Sequence, residues 1–213
     1  MTRPMLPLAL AVALPLGAAL VAPLPALSQA PAQDDLAAVN KAIRSITTLK
    51  ARFTQTDRNG QVQMGQMLLK QPGKIRFQYD GDGLLIISDG KSLYFVDYDV
   101  RQQQRWPIKN SPLGALLDPN RDLSRYGKLV QTGDARVVSV DVRDADHPEY
   151  GVINLIFTRK ASAPGGLELY GWVAKDAQGN RTSLRLTDLV YGEAIPDRSF
   201  TWRDPRINAR PVR

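Results

Sequence analysis

The side chains able to do chemistry are few and scattered. The only histidine, His147, stands in the run Asp144, Ala145, Asp146, His147, Pro148, Glu149, where carboxylates beside an imidazole could assemble a cation site. Proline among acidic residues between two apolar segments more often makes a solvated turn. Asp80 to Gly83, "DGDG", opens like a calcium loop, yet the later carboxylate ligands are missing, and a hairpin turn accounts for it. No Gly-x-Ser-x-Gly elbow, phosphate loop or dinucleotide fingerprint occurs, and no carboxylate pair is singled out for glycosidic work. Without any cysteine, disulfides and thiolate metal sites are excluded. The residues point away from an enzyme and require neither metal nor cofactor.

What is organised instead is apolar. Between Phe53 and Asp99, Phe53, Ile75, Phe77, Tyr79, Leu93 and Phe95 fall at strand spacing, punctuated by Asn59-Gly60, Pro72-Gly73, Asp82-Gly83 and Asp89-Gly90. That punctuation is the signature of antiparallel hairpins. Strands twist, so such a meander curls and its apolar face becomes the concave wall of a half-barrel. Further strands are expected over Arg101 to Trp106, Leu129 to Gly133, Arg136 to Val142, Val152 to Arg159, Leu167 to Lys175, Arg181 to Tyr191 and Phe200 to Arg203. The total is about eleven, with no internal repeat.

Helical spacing occurs in few places. Leu36, Val39, Ile43, Ile46 and Leu49 recur at intervals of three and four behind Asp34 and Asp35, which suit a helix N-terminus. This stripe serves either as core or as a cover over the concave sheet. Later, Ser111 is a candidate N-cap with Pro112 at the first helical position, followed by Leu113, Leu116 and Leu117, before Asp118-Pro119 ends the segment. A second turn is expected around Asp122 to Tyr126. These small apolar pieces within a strand-rich chain suit a movable lid, or else a plain crossover between two halves of the sheet.

Residues 1–30 read as a secretory signal: Arg3, then an apolar stretch from Met5 to Leu27 broken by Pro7, Pro15, Pro23 and Pro25, then small-residue cleavage points between 28 and 32. Residues 31–213 remain as one domain of roughly 180 residues, enough for one core. With no cysteine to carry a lipid at the cleavage point, the processed chain is expected to be soluble. The formal net charge of +7 is scattered, with density only from Arg203 to Arg213, which argues against nucleic-acid binding.

One ordered set of segments carries a resemblance. Phe53-Thr54-Gln55, the stretch from Gly65 through Pro72-Gly73 to Arg76-Phe77-x-Tyr79, the stretch Ile86 to Asp97 containing Ser88-Asp89-Gly90 and Leu93-Tyr94-Phe95, Asp176 to Leu186 with Gly179-Asn180, and Phe200 to Pro205 follow one another as in the LolA family. The chain thus resembles the periplasmic carriers of outer-membrane lipoproteins. The resemblance implies a mainly β, α+β fold: an incomplete antiparallel barrel of about eleven strands with short lid helices. It implies a monomer in the periplasm whose apolar cavity shelters lipoprotein acyl chains. Its partners would be acylated lipoproteins, an inner-membrane lipoprotein-releasing ABC transporter and an outer-membrane receptor. A periplasmic sensor of lipid or lipoprotein, or a carrier of another amphiphile, uses the same half-barrel. A sensor is expected to carry a second domain, and the chain ends soon after Trp202.

On this reading the cavity wall would draw on Phe53, Met64, Met67, Ile75, Phe77, Ile86, Leu93, Phe95 and Trp106, and the lid on Leu36, Val39, Ile43, Leu113, Leu116 and Leu117, with ordinary core packing the alternative for each. Family members commonly carry an arginine just before the proline that leads into the Arg-Phe-x-Tyr strand, able to bond lid carbonyls. Here that latch position is Gln71, a neutral amide, with Lys70, Lys74 and Arg76 nearby as substitutes. Gln71→Arg is therefore expected to slow cargo release in a purified transfer assay; an unchanged rate would count against a latch at this site.

Overall fold

Aspartate-capped turns join the strands of two meanders. The computed structural model describes residues 32–208 except 82, 109–112, 119, 121, 145 and 146; the expected leader and the Ser111-Pro112 cap lie outside the described residues. The first meander follows helix α1 (Ala32–Ser45) and contains β1 (Thr48–Thr56), β2 (Val62–Lys70), β3 (Lys74–Tyr79), β4 (Leu84–Ser88), β5 (Ser92–Asp97) and β6 (Gln102–Pro107). Two one-turn helices follow, α2 (Gly114–Leu117) and α3 (Leu123–Tyr126). The second meander is β7 (Gly127–Val130), β8 (Val137–Arg143), β9 (Val152–Arg159), β10 (Leu167–Lys175) and β11 (Arg181–Tyr191). In four turns one aspartate oxygen accepts two backbone N–H groups: Asp57 from Asn59 and Gln61, Asp89 from Lys91 and Ser92, Asp97 from Asp99 and Val100, Asp176 from Gln178 and Asn180. Each of these is an Asx-type turn.

Antiparallel pairing of β1 with β11 zips the meanders into one sheet in the order β6-β5-β4-β3-β2-β1-β11-β10-β9-β8-β7. The outermost strands, β6 and β7, are consecutive in the chain, yet they do not pair. In chain order α2 and α3 fall between these two edge strands. The segment holding them thus connects the two halves of the sheet.

Period-two alternation puts one apolar set on the concave face. Leu49, Ala51 and Phe53, then Gly65, Met67 and Leu69, then Ile75, Phe77 and Tyr79 are all buried. On the opposite wall Val138, Val140, Ile153, Leu155, Phe157, Leu169 and Trp172 belong to the same core. Helix α1 lies over this second wall, inserting Val39, Ala42 and Ile43 and packing on β7, β8, β10 and the Pro164–Gly166 turn. Gly165 there has φ 67°, and a Cβ on it would sit 2.6 Å from Ala42 Cα, so only glycine lets the helix come this close. Arg159 on β9 bonds the Asp35 carboxylate and ties down the start of the helix.

Two expectations are corrected. The helix ends at Ser45, so Ile46 follows it and Leu49 belongs to β1; the β-branched run Ile46, Thr47, Thr48 favours extended backbone. Phe200 to Arg203 form no strand. A 3-10 turn at Asp197–Phe200 leads into an extended strap on the convex face, bracketed by Pro196 and Pro205. Side chains take up its carbonyls: Arg76 donates to Ser199 O and Thr201 O, and the Tyr98 hydroxyl to Arg203 O. Trp202 packs on Tyr94 at 4.4 Å and on the convex cluster of Leu85, Ile87 and Val96, its Nε1 donating to Gln103 Oε1 at 2.9 Å.

Phe53 is the centre of the inner wall. It faces Gly65 across the β1–β2 ladder, and its ring occupies the space a side chain would fill; a Cβ at 65 would lie 2.7 Å from the ring and 2.1 Å from Gln78 O. Gly65→Ala is expected to cost about 1–3 kcal/mol through overpacking, lowering the melting temperature by about 2–4 °C per kcal/mol. An unchanged melting temperature would show that both the ring and the Gln78 carbonyl are free to shift.

Candidate functional site

The register lines up a row of side chains across the concave face. Ala51 stands opposite Met67, Met67 opposite Phe77, Phe77 opposite Ile86, Ile86 opposite Phe95, and Phe95 opposite Gln104 on the edge strand. Ala51, Met67 and Phe77 are buried, whereas Ile86 and Phe95 are half-buried and Gln104 is exposed. The row thus runs from the interior to the rim. Next to it, Ser88 faces Leu93 and Leu93 faces Trp106; Leu93 is buried, and Trp106 on edge strand β6 is 43% exposed.

Met64 does not belong to this wall. It lies on β2 three residues from Met67, an odd separation, and so points to the convex side with 52% exposure. The opposite wall, missed in the sequence reading, supplies Trp172, whose ring meets Phe77 edge-on at 6.0 Å. Its signal was available in the alternation of Leu167, Leu169 and Trp172 around a bulge.

Among the described residues the concave face is filled by aromatic rings. Phe53 meets Phe77 edge-on at 5.5 Å and Tyr79 at 5.0 Å, and with Trp172 these rings interlock beneath the helices. The physical reason is energetic: an empty apolar void of about 400 Å³ would cost on the order of 10 kcal/mol, comparable to the whole stability of a domain. The single polar contact among these rings is satisfied, Tyr79 donating to Gln55 Oε1 at 2.8 Å. Burial pushes the Tyr79 phenol up to about 12, opposed by the Gln55 bond, so it stays neutral at physiological pH.

Hydrogen bonds from the β2–β3 turn and from α1 reach the short helices. Leu116 and Leu117 of α2 are buried, with Leu113 half-buried beside them; Val39 and Ile43 of α1 are buried and Leu36 half-buried. Gln71 Nε2 donates to Leu116 O at 2.7 Å and Gly73 N to Leu117 O at 2.9 Å, both from the β2–β3 turn. The neutral amide before Pro72 thus reaches α2. Lys70, Lys74 and Arg76 do not: Lys70 and Lys74 bind Asp197 and Arg76 holds the strap, all on the convex face. Strand parity sends these three outward, while Gln71 lies past the end of β2. Asn40 couples the helices, donating to Asp122 Oδ1 at 3.2 Å and accepting from Leu123 N at 3.1 Å. Asp122 caps α3 through Ser124 N, and bonds from Ser124 and Asn40 hold its carboxyl below the ordinary range.

Chemistry-bearing residues stay apart. His147 stacks on Tyr150 at 4.7 Å and bonds Glu149 at 3.0 Å, both on the surface. Among the described residues no group of three metal-ligating side chains converges, and no helix is long and apolar enough to cross a membrane.

Fold and site together define a helix-roofed half-barrel with an apolar concave face. The chain belongs to the LolA family: the family described as outer membrane lipoprotein carrier protein LolA matches residues 44–203. An outer-membrane lipoprotein carrier protein of Dechloromonas aromatica is 29% identical over 204 residues, covering 89% of this chain and 92% of its own. One from Chromobacterium violaceum is 28% identical over 189 residues, covering 83% and 87%. Among solved structures, a LolA superfamily protein from Nitrosomonas europaea aligns with a TM-score of 0.46 at 13% identity, covering 82% of this chain and 99% of that one.

Removing the latch amide isolates its contribution. Gln71→Ala is expected to loosen α2 by about 1 kcal/mol, read as about fivefold faster hydrogen exchange over residues 113–118. Unchanged exchange there would mean that Gly73 alone holds the lid.

Proposed function

We propose that this chain is a lipoprotein carrier that shelters acyl chains against its concave face, exported to the periplasm and moving cargo from an inner-membrane ABC transporter to an outer-membrane receptor. Family membership supports the carrier reading. The observation that carries it is the row Met67, Phe77, Ile86, Phe95, which leads from the buried interior to an exposed rim beneath a lid held by two named hydrogen bonds. Each methylene hidden from water contributes about 0.8 kcal/mol, so several acyl chains supply ample free energy to displace a one-turn helix and part the aromatic rings. Release requires the reverse, and the roof's few polar ties let it close again over the emptied face.

Lipid or protein co-purifying with the periplasmic chain and identified by mass spectrometry tests this reading: acylated lipoproteins are expected. A glycolipid or isoprenoid lipid recovered in their place would replace the cargo assignment. Phe95→Glu places a carboxylate on the half-buried rim, where apolar cargo would have to desolvate it. It is expected to lower lipoprotein capture from inner-membrane vesicles at least about tenfold with the fold intact by circular dichroism; full capture would remove the rim from the pathway.

A further inference from the structure

The open side of the barrel carries a cleft distinct from the aromatic interior. It has a volume of about 840 Å³, within the range of sites that enclose ligands. It lies across the outer side of α2, with Lys91 and Ile108 on the wall of the first meander and Arg125, Tyr126 and Tyr150 on the other. Ile108 and Leu117 line this cleft and also belong to the buried apolar core. Cleft and interior therefore meet at one seam, where the lining changes from apolar to polar.

The polar groups of the cleft are of mixed kind. Two of its carboxylates are engaged in turns and caps: Asp118 accepts from Asn120 N at 3.0 Å, and Asp122 from Ser124 N at 2.9 Å and from Asn40. Its two cations, one on each wall, have no carboxylate partner among the described residues; Arg125 lies over the Tyr126 ring at 5.9 Å, and Lys91 extends from the β4–β5 turn. Hydrocarbon is poorly matched to such a lining, and a single small ion would need converging charge of one sign. An extended polypeptide fits better: it presents a donor and an acceptor at each residue, side chains for aromatic faces, and carbonyl or acidic groups for two loose cations.

We propose that this cleft receives the cargo's own polypeptide, the extended stretch that follows its acylated residue. The inference rests on the carrier reading: with hydrocarbon inside, the attached chain must leave the barrel, and the seam at Ile108 and Leu117 is a path from apolar lining to polar surface. The site recognises peptide in addition to lipid, so discrimination among cargoes lies here and not in the acyl chains they share.

Two probes test this on the purified full chain: an acylated cysteine amide, and the same acylated cysteine followed by a short peptide of neutral and acidic residues. The peptide-bearing probe is expected to bind about tenfold tighter. Lys91→Glu combined with Arg125→Glu should abolish that difference while leaving the acylated cysteine amide bound as before. Equal affinity of the two probes for the unaltered chain would overturn the inference and leave the carrier reading standing; failure of both to bind would overturn the carrier reading itself. A photo-crosslinking residue at Asn120, in the cleft, should capture the peptide, and one at Gln66, on the convex face, should not. Capture at Gln66 alone, or at neither, overturns the proposal even if the double variant fails to fold.

Discussion

The strands cannot close. β6 and β7 are the two edges of one eleven-stranded sheet, and in place of a ladder between them the chain order puts α2 and α3. A closed barrel would satisfy its edges with backbone hydrogen bonds and fill its interior with its own strands' side chains. Here the concave apolar face has no second sheet above it, so helices must cover it. The two meanders receive different covers. A four-turn helix tied by the Arg159–Asp35 pair and by the close approach at Gly165 roofs the second; one-turn helices bonded by Gln71, Gly73 and Asn40 span the gap beside the first.

That difference sets where apolar surface becomes accessible. Burial falls along the row from Met67 to Phe95, from full enclosure to half exposure, because β4 to β6 lie beyond the reach of α1. The rings of Phe53, Phe77, Tyr79 and Trp172 pack edge to face on one another. Side chains in contact with one another keep dispersion energy that a void would lose, so the resting form is closed without a rigid, shaped pocket. A neutral latch agrees with this: the Gln71 bond is short but uncharged, and so changes little with ionic strength.

Much of this was legible in residue order. Turn chemistry marked the hairpins, the helical stripe marked α1, and Gln71 stood out by its place before Pro72. Errors arose where a local pattern did not carry its tertiary partner. Parity alone separates Met64 from Met67, yet composition grouped them. Phe200 to Arg203 alternates like a strand, but Arg76 and Tyr98 bond its carbonyls where a ladder would have done so. Trp172 was unremarkable until β10 was known to face β3 across the cup. The cleft above α2 had no sequence signal at all, because its lining comes from both meanders and both short helices.

The strap from Asp197 to Asp204 has a mechanical consequence. Bonded to the strap through their own Arg76, Lys70 and Lys74 and covered by its Trp202, the strands of the first meander act as a backed plank that resists bending outward. The strap thereby splints β2, β3, β5 and β6 to one another along their outer surface.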